Sequence, residues 1–267
     1  MHGLEELFNH PKPIIGVVHL LPLIGSPKSS IGLAEIRSRA LSDSASLINN
    51  GIDGIIIENY GDAPYLPDQV EVHTVASMTI IAHEIHEHFP ETPIGINMLR
   101  NDARSAMAVA TVTRSSFIRI NVHTGGMLAD QGILQGKAHD TLRYRRTLNS
   151  DVKIFADIAV KHAAPIADFD LRTSAEDTFY RGLADALIVT GLGTGKHTCY
   201  NHLRQVKDAV PQARVFAGSG VTADEIANLL QFADGAIVGT WLKRGGVTTN
   251  EVDENRVRVI VEARDEN

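Results

Sequence analysis

Among 267 residues the chain has a single cysteine, Cys199. No internal disulfide can form, and no paired-cysteine motif for metal or redox chemistry exists. Cys199 follows Thr198 at an expected helix start, but no base lies within sequence reach to activate it. Such cysteine usage fits a reducing compartment, and the expected location is cytoplasmic. Long hydrophobic runs are also missing. Residues 1–13 are polar and resemble neither a secretory signal nor an anchor. The first apolar run, residues 14–23, is too short to span a bilayer and is broken by Pro22. Any membrane association is therefore expected to be peripheral. There is no long basic block either, and the formal net charge is −7. That balance disfavours nucleic acid or an anionic membrane as the main partner. The densest positive cluster, Arg143, Arg145 and Arg146, reads as a solvated helix face.

No linker, low-complexity tract or second composition regime interrupts the sequence, so a single domain over residues 1–267 is expected. Hydrophobic residues make up 43% and charged residues 21%, which is ordinary globular composition. A short β-branched run followed by an amphipathic helical pattern recurs along the whole length. Strands are expected at 14–20, 54–59, 94–99, 117–122, 152–158, 186–190, 215–217 and 236–238. Helices are expected at 33–50, 70–88, 103–114, 137–148, 175–182, 198–210, 223–231 and 255–263. Alternation of this kind implies a parallel sheet, and eight units in one domain imply a closed (β/α)₈ TIM barrel. One connection is too long for a simple turn. Residues 123–137 carry four glycines, Gly125, Gly126, Gly132 and Gly136, and are a candidate lid over the active face.

Barrel enzymes work at the C-terminal strand ends, so the residues ending each strand are the informative ones. His19 ends the first strand, Glu58 and Asn59 the second, and Asn97 the third. The fourth carries Arg119, Asn121 and His123; the fifth ends in Asp157, followed by Lys161 and His162; the sixth ends in Thr190. Period-two alternation places Arg119, Asn121 and His123 on one face, with His19, Glu58, Asn97 and Asp157 inward as well. An inward histidine is often only a satisfied core residue, and Arg119 can serve simply to neutralise Glu58 or Asp157. Convergence of so many polar ends exceeds what packing requires. Acid–base roles fall to Glu58, Asp157 and His19, with a Schiff-base route through Lys161 as the other catalytic option, and ligand orientation to Asn97, Arg119, Asn121, His162 and Thr190. No cofactor is expected. A divalent metal on His19, Glu58, Asp157 and His162 is the alternative reading of the same residues.

Glycine-rich turns follow the last three strands. They comprise Gly191, Gly193 and Gly195; then Gly218, Ser219 and Gly220; then Gly239 and Thr240. Glycine lets backbone amides approach an anion, and a helix N-terminus adds a favourable dipole. Loops after the seventh and eighth strands hold phosphate in many barrels. Gly193, Gly195, Gly218, Ser219, Gly220, Gly239 and Thr240 are thus the expected phosphate cradle, with Lys196 and Lys243 adding charge. The same glycines would also suit plain tight turns.

Several strings resemble the BtpA/SgcQ family: Phe155 to Ile158, Lys161 to Ala163, Asp185 to Gly191, Gly218 to Thr222, and Val238 to Lys243. So do residues 16–23, 57–62 and 130–132, Tyr144-Arg145, and Asn250 to Asp253 followed by Arg256. The resemblance covers nearly the whole chain; Trp241 departs from it where a small residue would be expected. It implies a barrel similar to the ribulose-phosphate-binding barrels of tryptophan and histidine biosynthesis. One member is associated with photosystem I biogenesis, another with a sugar-uptake gene cluster.

The resulting expectation is an enzyme acting on a small phosphorylated metabolite, a sugar phosphate or ribosyl phosphate compound, by acid–base chemistry. Isomerisation, lyase chemistry and glycosidic-bond cleavage all suit these residues. The alternatives are a non-enzymatic assembly factor for a membrane complex such as photosystem I, and a phosphate-sensing module without turnover. A homo-oligomer is expected, because barrels often associate and the helix faces carry Met and Leu.

Overall fold

A computed structural model of the chain describes residues 7–159, 163–190 and 200–266. Eight parallel strands close into a barrel in the order β1 (Ile14–His19), β11 (Gly235–Val238), β10 (Arg214–Ala217), β9 (Ala186–Val189), β7 (Lys153–Ala159), β4 (Phe117–Ile120), β3 (Ile94–Asn97) and β2 (Gly54–Glu58). Around it lie α1 (Leu33–Ile48), α2 (Val72–His88), α3 (Ala103–Val112), α4 (Ala138–Thr147), α5 (Leu171–Glu176), α6 (Tyr200–Ala209), α7 (Ala223–Leu229) and α8 (Glu254–Asp265). The chain is therefore an α/β TIM barrel, as its periodicity implies. The fifth helix departs from expectation: α5 begins at Leu171, and Asp177–Arg181 continue it as a wider π turn.

Alternation along the strands builds two separate apolar layers. Ile14, Val18, Ile55, Ile57, Ile118 and Ile120 face outward into the layer shared with the helices. Ile15, Val17, Ile56, Phe117, Phe155, Ile188, Phe216 and Ile237 fill the interior, with Phe8 from the N-terminal segment packed among them. The lower interior is aromatic. Phe117 and Phe155 stack at 4.5 Å between ring centroids, and Phe8 meets Phe117, Phe155 and Phe216 at 6.2–6.5 Å. Room for these rings comes from glycine: a Cβ on Gly95 would lie 2.3 Å from Phe117, and one on Gly235 would lie 2.5 Å from Phe216. Two residues further along the same strands the inward positions turn polar: Val17 is followed by His19, Ile56 by Glu58, Phe117 by Arg119 and Phe155 by Asp157.

A repeated device registers the strands at the other end. Asp53, Asp185 and Asp234 each immediately precede a strand. They accept the backbone N–H of Ile14, Ile154 and Val215 on the neighbouring strand, each at 2.8 Å. Each also binds a helix cation: Arg264, Arg145 and Lys207 respectively. Arg145 is thus partly structural and not merely a solvated charge.

The long connection after β4 is a β-hairpin, β5 (Gly126–Ala129) and β6 (Gly132–Gln135), joined by β8 (Ala163–Pro165) into a three-stranded antiparallel sheet. Met127 and Leu134 bury against Val122 on its inner side. Among the described residues, no helix is long and apolar enough to cross a membrane.

Candidate functional site at the barrel mouth

Inward parity delivers His19, Glu58, Asn97, Arg119, Asn121 and Asp157 to one end of the barrel. Burial there excludes bulk water, so each polar group must find a partner or carry a cost of about 1–3 kcal/mol. Arg119 Nε and Nη2 donate to Asp157 Oδ1 and Oδ2, both at 3.1 Å. Asn121 Nδ2 adds a third bond to Oδ2 at 3.1 Å. The Asp157 side chain is fully buried beneath these donors. Burial works against the Arg119 charge, but the Asp157 charge and hydrogen bonds, helped by the charge of Glu58, outweigh it and raise its pKa above the ordinary arginine value.

Glu58 is differently placed. Its Oε2 accepts from Asn97 Nδ2 at 2.6 Å, and its Oε1 lies 3.9 Å from His19 Nε2. His19 rests edge-on against Tyr60, with 4.9 Å between ring centroids. Burial raises the pKa of neighbouring Tyr65 well above the usual phenol value. Its hydroxyl donates to the Tyr60 carbonyl at 2.8 Å.

A cavity of about 550 Å³ joins this polar cluster to the glycine turns. His19, Glu58, Arg119, Asn121 and Asp157 line one part of it; Gly218, Ser219, Gly220, Gly239 and Thr240 line the other. Asn97 lies beneath Glu58, and Thr190 packs beside Gly218, where its Cγ2 would be 2.9 Å from an added Cβ. Neither of these two lines the cavity. Lys161, His162, Gly193 and Gly195 lie outside the described residues, as do Gly191, Lys196 and Cys199.

Part of the glycine pattern has a packing cause. A Cβ on Gly218 would lie 2.4 Å from Ile188, and one on Gly239 would lie 2.9 Å from His19. Gly220 turns with φ +67°, a conformation that strains other residues. These glycines therefore have packing and conformational causes independent of any ligand, and the Gly218 N–H already donates to the Val189 carbonyl at 2.8 Å.

Two expectations are corrected. Lys243 does not reach the mouth. It is wholly buried behind the barrel wall, with Nζ 3.0 Å from Asp43 Oδ2. The backbone N–H of Val252 donates to the other oxygen of Asp43 at 2.9 Å. His123 also leaves the inward series, because β4 ends at Ile120. The amide of Asn101 pins Val122 through both its N–H and its C=O, and the His123 ring turns to meet the Gly182 carbonyl at 2.8 Å.

Other residues at the mouth were not foreseen. Arg256, in the first turn of α8, lines the cavity beside Trp241, Thr240 and Thr248. Its guanidinium lies 4.6 Å from the Trp241 ring centroid, and Nε donates to the Trp241 carbonyl. No carboxylate pairs with it among the described residues. Thr240 and Thr248 share a hydroxyl–hydroxyl bond of 2.9 Å. Asp130 and Gln131, the turn of the hairpin, line the cavity too. The one available signal for Arg256 was topological: helices of a β/α barrel begin at the face where the strands end. Among the described residues, no group of three or more His, Cys, Asp or Glu is placed to hold a metal ion.

The comparisons agree with this architecture. The sequence model of the BtpA family matches residues 10–266. The photosystem I biogenesis protein BtpA of Synechocystis sp. is 44% identical over 260 residues, covering 97% of this chain and 90% of that protein. An uncharacterized protein of Methanocaldococcus jannaschii is 42% identical over 250 residues, covering 94% of each. Among solved structures, phosphoribosyl anthranilate isomerase from Thermus thermophilus matches with a TM-score of 0.56 at 10% identity, covering 95% of this chain and 98% of that one. That likeness is one of fold.

Proposed function

The chain belongs to the BtpA family, and from that premise we propose that it is an enzyme acting on a small phosphorylated metabolite, a sugar phosphate or ribosyl phosphate compound. The observation that carries this reading is the cavity joining Glu58 to the turns at Gly218, Ser219 and Gly220 and at Gly239 and Thr240. Backbone amides of Gly220, Gly239 and Thr240 would hold the phosphate, with Arg256 supplying positive charge at close range. The bound phosphate would fix the reacting carbons over Glu58. Such positioning lowers the entropic part of the barrier.

Of the two carboxylates, Glu58 suits proton transfer better. Asp157 already accepts three hydrogen bonds, so it serves to hold Arg119 and Asn121 in place. Glu58 has one fixed partner and a second oxygen toward His19, leaving it able to take and return a proton, with His19 as the adjoining acid–base group. With Asp157 committed to Arg119 and Asn121, proton transfer at Glu58 suits isomerase or lyase chemistry. Arg119 and Asn121 would orient the polar end of the ligand.

A thermal-shift screen of phosphorylated metabolites against the wild type and Glu58→Gln tests the reading, since a ligand that binds the native state raises its melting temperature. Expected is a shared stabilising ligand that only the wild type converts. Conversion undiminished in Glu58→Gln would remove the catalytic assignment. No stabilisation by any phosphorylated compound would favour the assembly role that the Synechocystis relative's name offers.

A further inference from the structure

One aromatic residue brings charge and backbone together at a corner of the mouth. Trp241, the single tryptophan of the chain, lies two residues past Gly239, in the short turn Thr240–Leu242 that follows β11. It is half-buried, packs against the outer core and also lines the cavity. Arg256 meets it twice. The guanidinium carbon stands 4.6 Å from the ring centroid, and Nε donates to the Trp241 carbonyl. The indole face attracts the cation, while the carbonyl decides which part of the guanidinium is used up. Nη1 and Nη2 remain solvent-accessible and have no hydrogen-bond or ion-pair partner among the described residues. A Cβ on Gly246, itself a cavity residue, would lie 3.8 Å from Nη2. The end of α8 is not a rival source of charge. Its cap Asp253 already takes the N–H groups of Asn255 and Arg256, at 3.0 and 3.4 Å.

We infer that Trp241 is a positioning residue for anion recognition, holding Arg256 as a rigid two-pronged donor beside the amides of Gly239 and Thr240. This inference rests on the phosphate reading above and adds the residue that sets the geometry of its cation. A guanidinium offers two parallel N–H bonds to two oxygens of a phosphate, whereas an ammonium acts as a point charge. A loose arginine gives up rotamer freedom when it binds, but one already stacked and hydrogen-bonded has little left to lose. The amides of Gly239 and Thr240 and the carbonyl of Trp241 belong to one continuous stretch of backbone. That stretch, rather than a wandering side chain, therefore sets the spacing between the guanidinium and the amides.

Titration of the full chain with inorganic phosphate, followed by amide NMR shifts, tests this through a double-mutant cycle. Trp241→Ala is expected to weaken binding about threefold or more, and Trp241→Phe, which keeps a ring face, to stay within about twofold of the wild type. In an Arg256→Gln background, Trp241→Ala should change affinity by less than about twofold, because the group it positions is gone. Arg256→Lys keeps the charge and loses the fork, and should also weaken binding about threefold or more. Should Trp241→Ala fail to fold, Trp241→Leu takes its place, filling the space against the core without a ring face. Wild-type affinity in that variant overturns the inference. So does an equal loss in both backgrounds, which would mean that Trp241 acts without Arg256. Trp241→Phe binding no better than Trp241→Ala overturns the role of the ring, and full affinity in Arg256→Lys overturns the two-pronged donor. Absence of phosphate binding by the wild type overturns the phosphate reading, and this inference with it.

Discussion

Arg119 and Asp157 meet side by side inside the barrel, Nε on Oδ1 and Nη2 on Oδ2, with both contacts at 3.1 Å and both side chains almost wholly out of solvent. Removing one partner of such a pair leaves an uncompensated buried charge. Asp157→Ala should therefore cost about 3–5 kcal/mol of stability, measured by urea unfolding, and the double variant Arg119→Leu with Asp157→Leu should recover much of it. A loss below about 1 kcal/mol in the single variant would mean that the pair is solvated.

The aromatic floor of the barrel is separate from the mouth. Phe155 contacts Phe8, Phe117 and Phe216 at 4.5–6.5 Å between centroids. Phe155→Ala should cost about 3–5 kcal/mol while leaving the affinity for inorganic phosphate unchanged. A parallel loss of affinity at a temperature where the variant remains folded would show that the floor shapes the site.

A pH dependence follows from His123. Burial, the largest influence on it, depresses its pKa below the ordinary 6.5. The unfolded chain therefore takes up a proton that the folded chain resists, and stability falls as pH drops through the ordinary histidine range. Comparing urea midpoints at about pH 7.5 and about pH 5.5, the wild type should lose more stability than His123→Asn. An identical drop in the two proteins would contradict this.

Arg256 should matter to anion affinity. Its guanidinium is held against Trp241 and faces the mouth without a carboxylate partner among the described residues. Arg256→Gln is expected to weaken inorganic phosphate binding about tenfold, equivalent to about 1.4 kcal/mol, with that effect shrinking at high salt. Unchanged affinity would place the anion away from α8.

The barrel was legible because period-two strands and amphipathic helices alternate along the whole chain, and parity alone brought His19, Glu58, Arg119, Asn121 and Asp157 to the mouth. Parity failed at His123, since alternation holds only while a strand lasts and the side chain of Asn101 bends the chain just past Ile120. It could not foresee Lys243 either: whether a residue beyond a strand end turns toward the mouth or behind the wall depends on a partner 200 positions away, Asp43. Arg256 escaped for the same reason, as it joins Trp241 only through the docking of α8. In the sequence the hairpin looks like a glycine-rich loop because its strands span only Gly126–Ala129 and Gly132–Gln135, too short for alternation to stand out.

The phosphate end of the mouth is the central claim, and diffraction from crystals grown with inorganic phosphate tests it most directly. The account predicts an anion between the Gly218–Gly220 turn and the backbone of Gly239 and Thr240, within reach of Arg256. A well-ordered mouth with no anion there at saturating phosphate, or an anion bound only elsewhere on the surface, would contradict it.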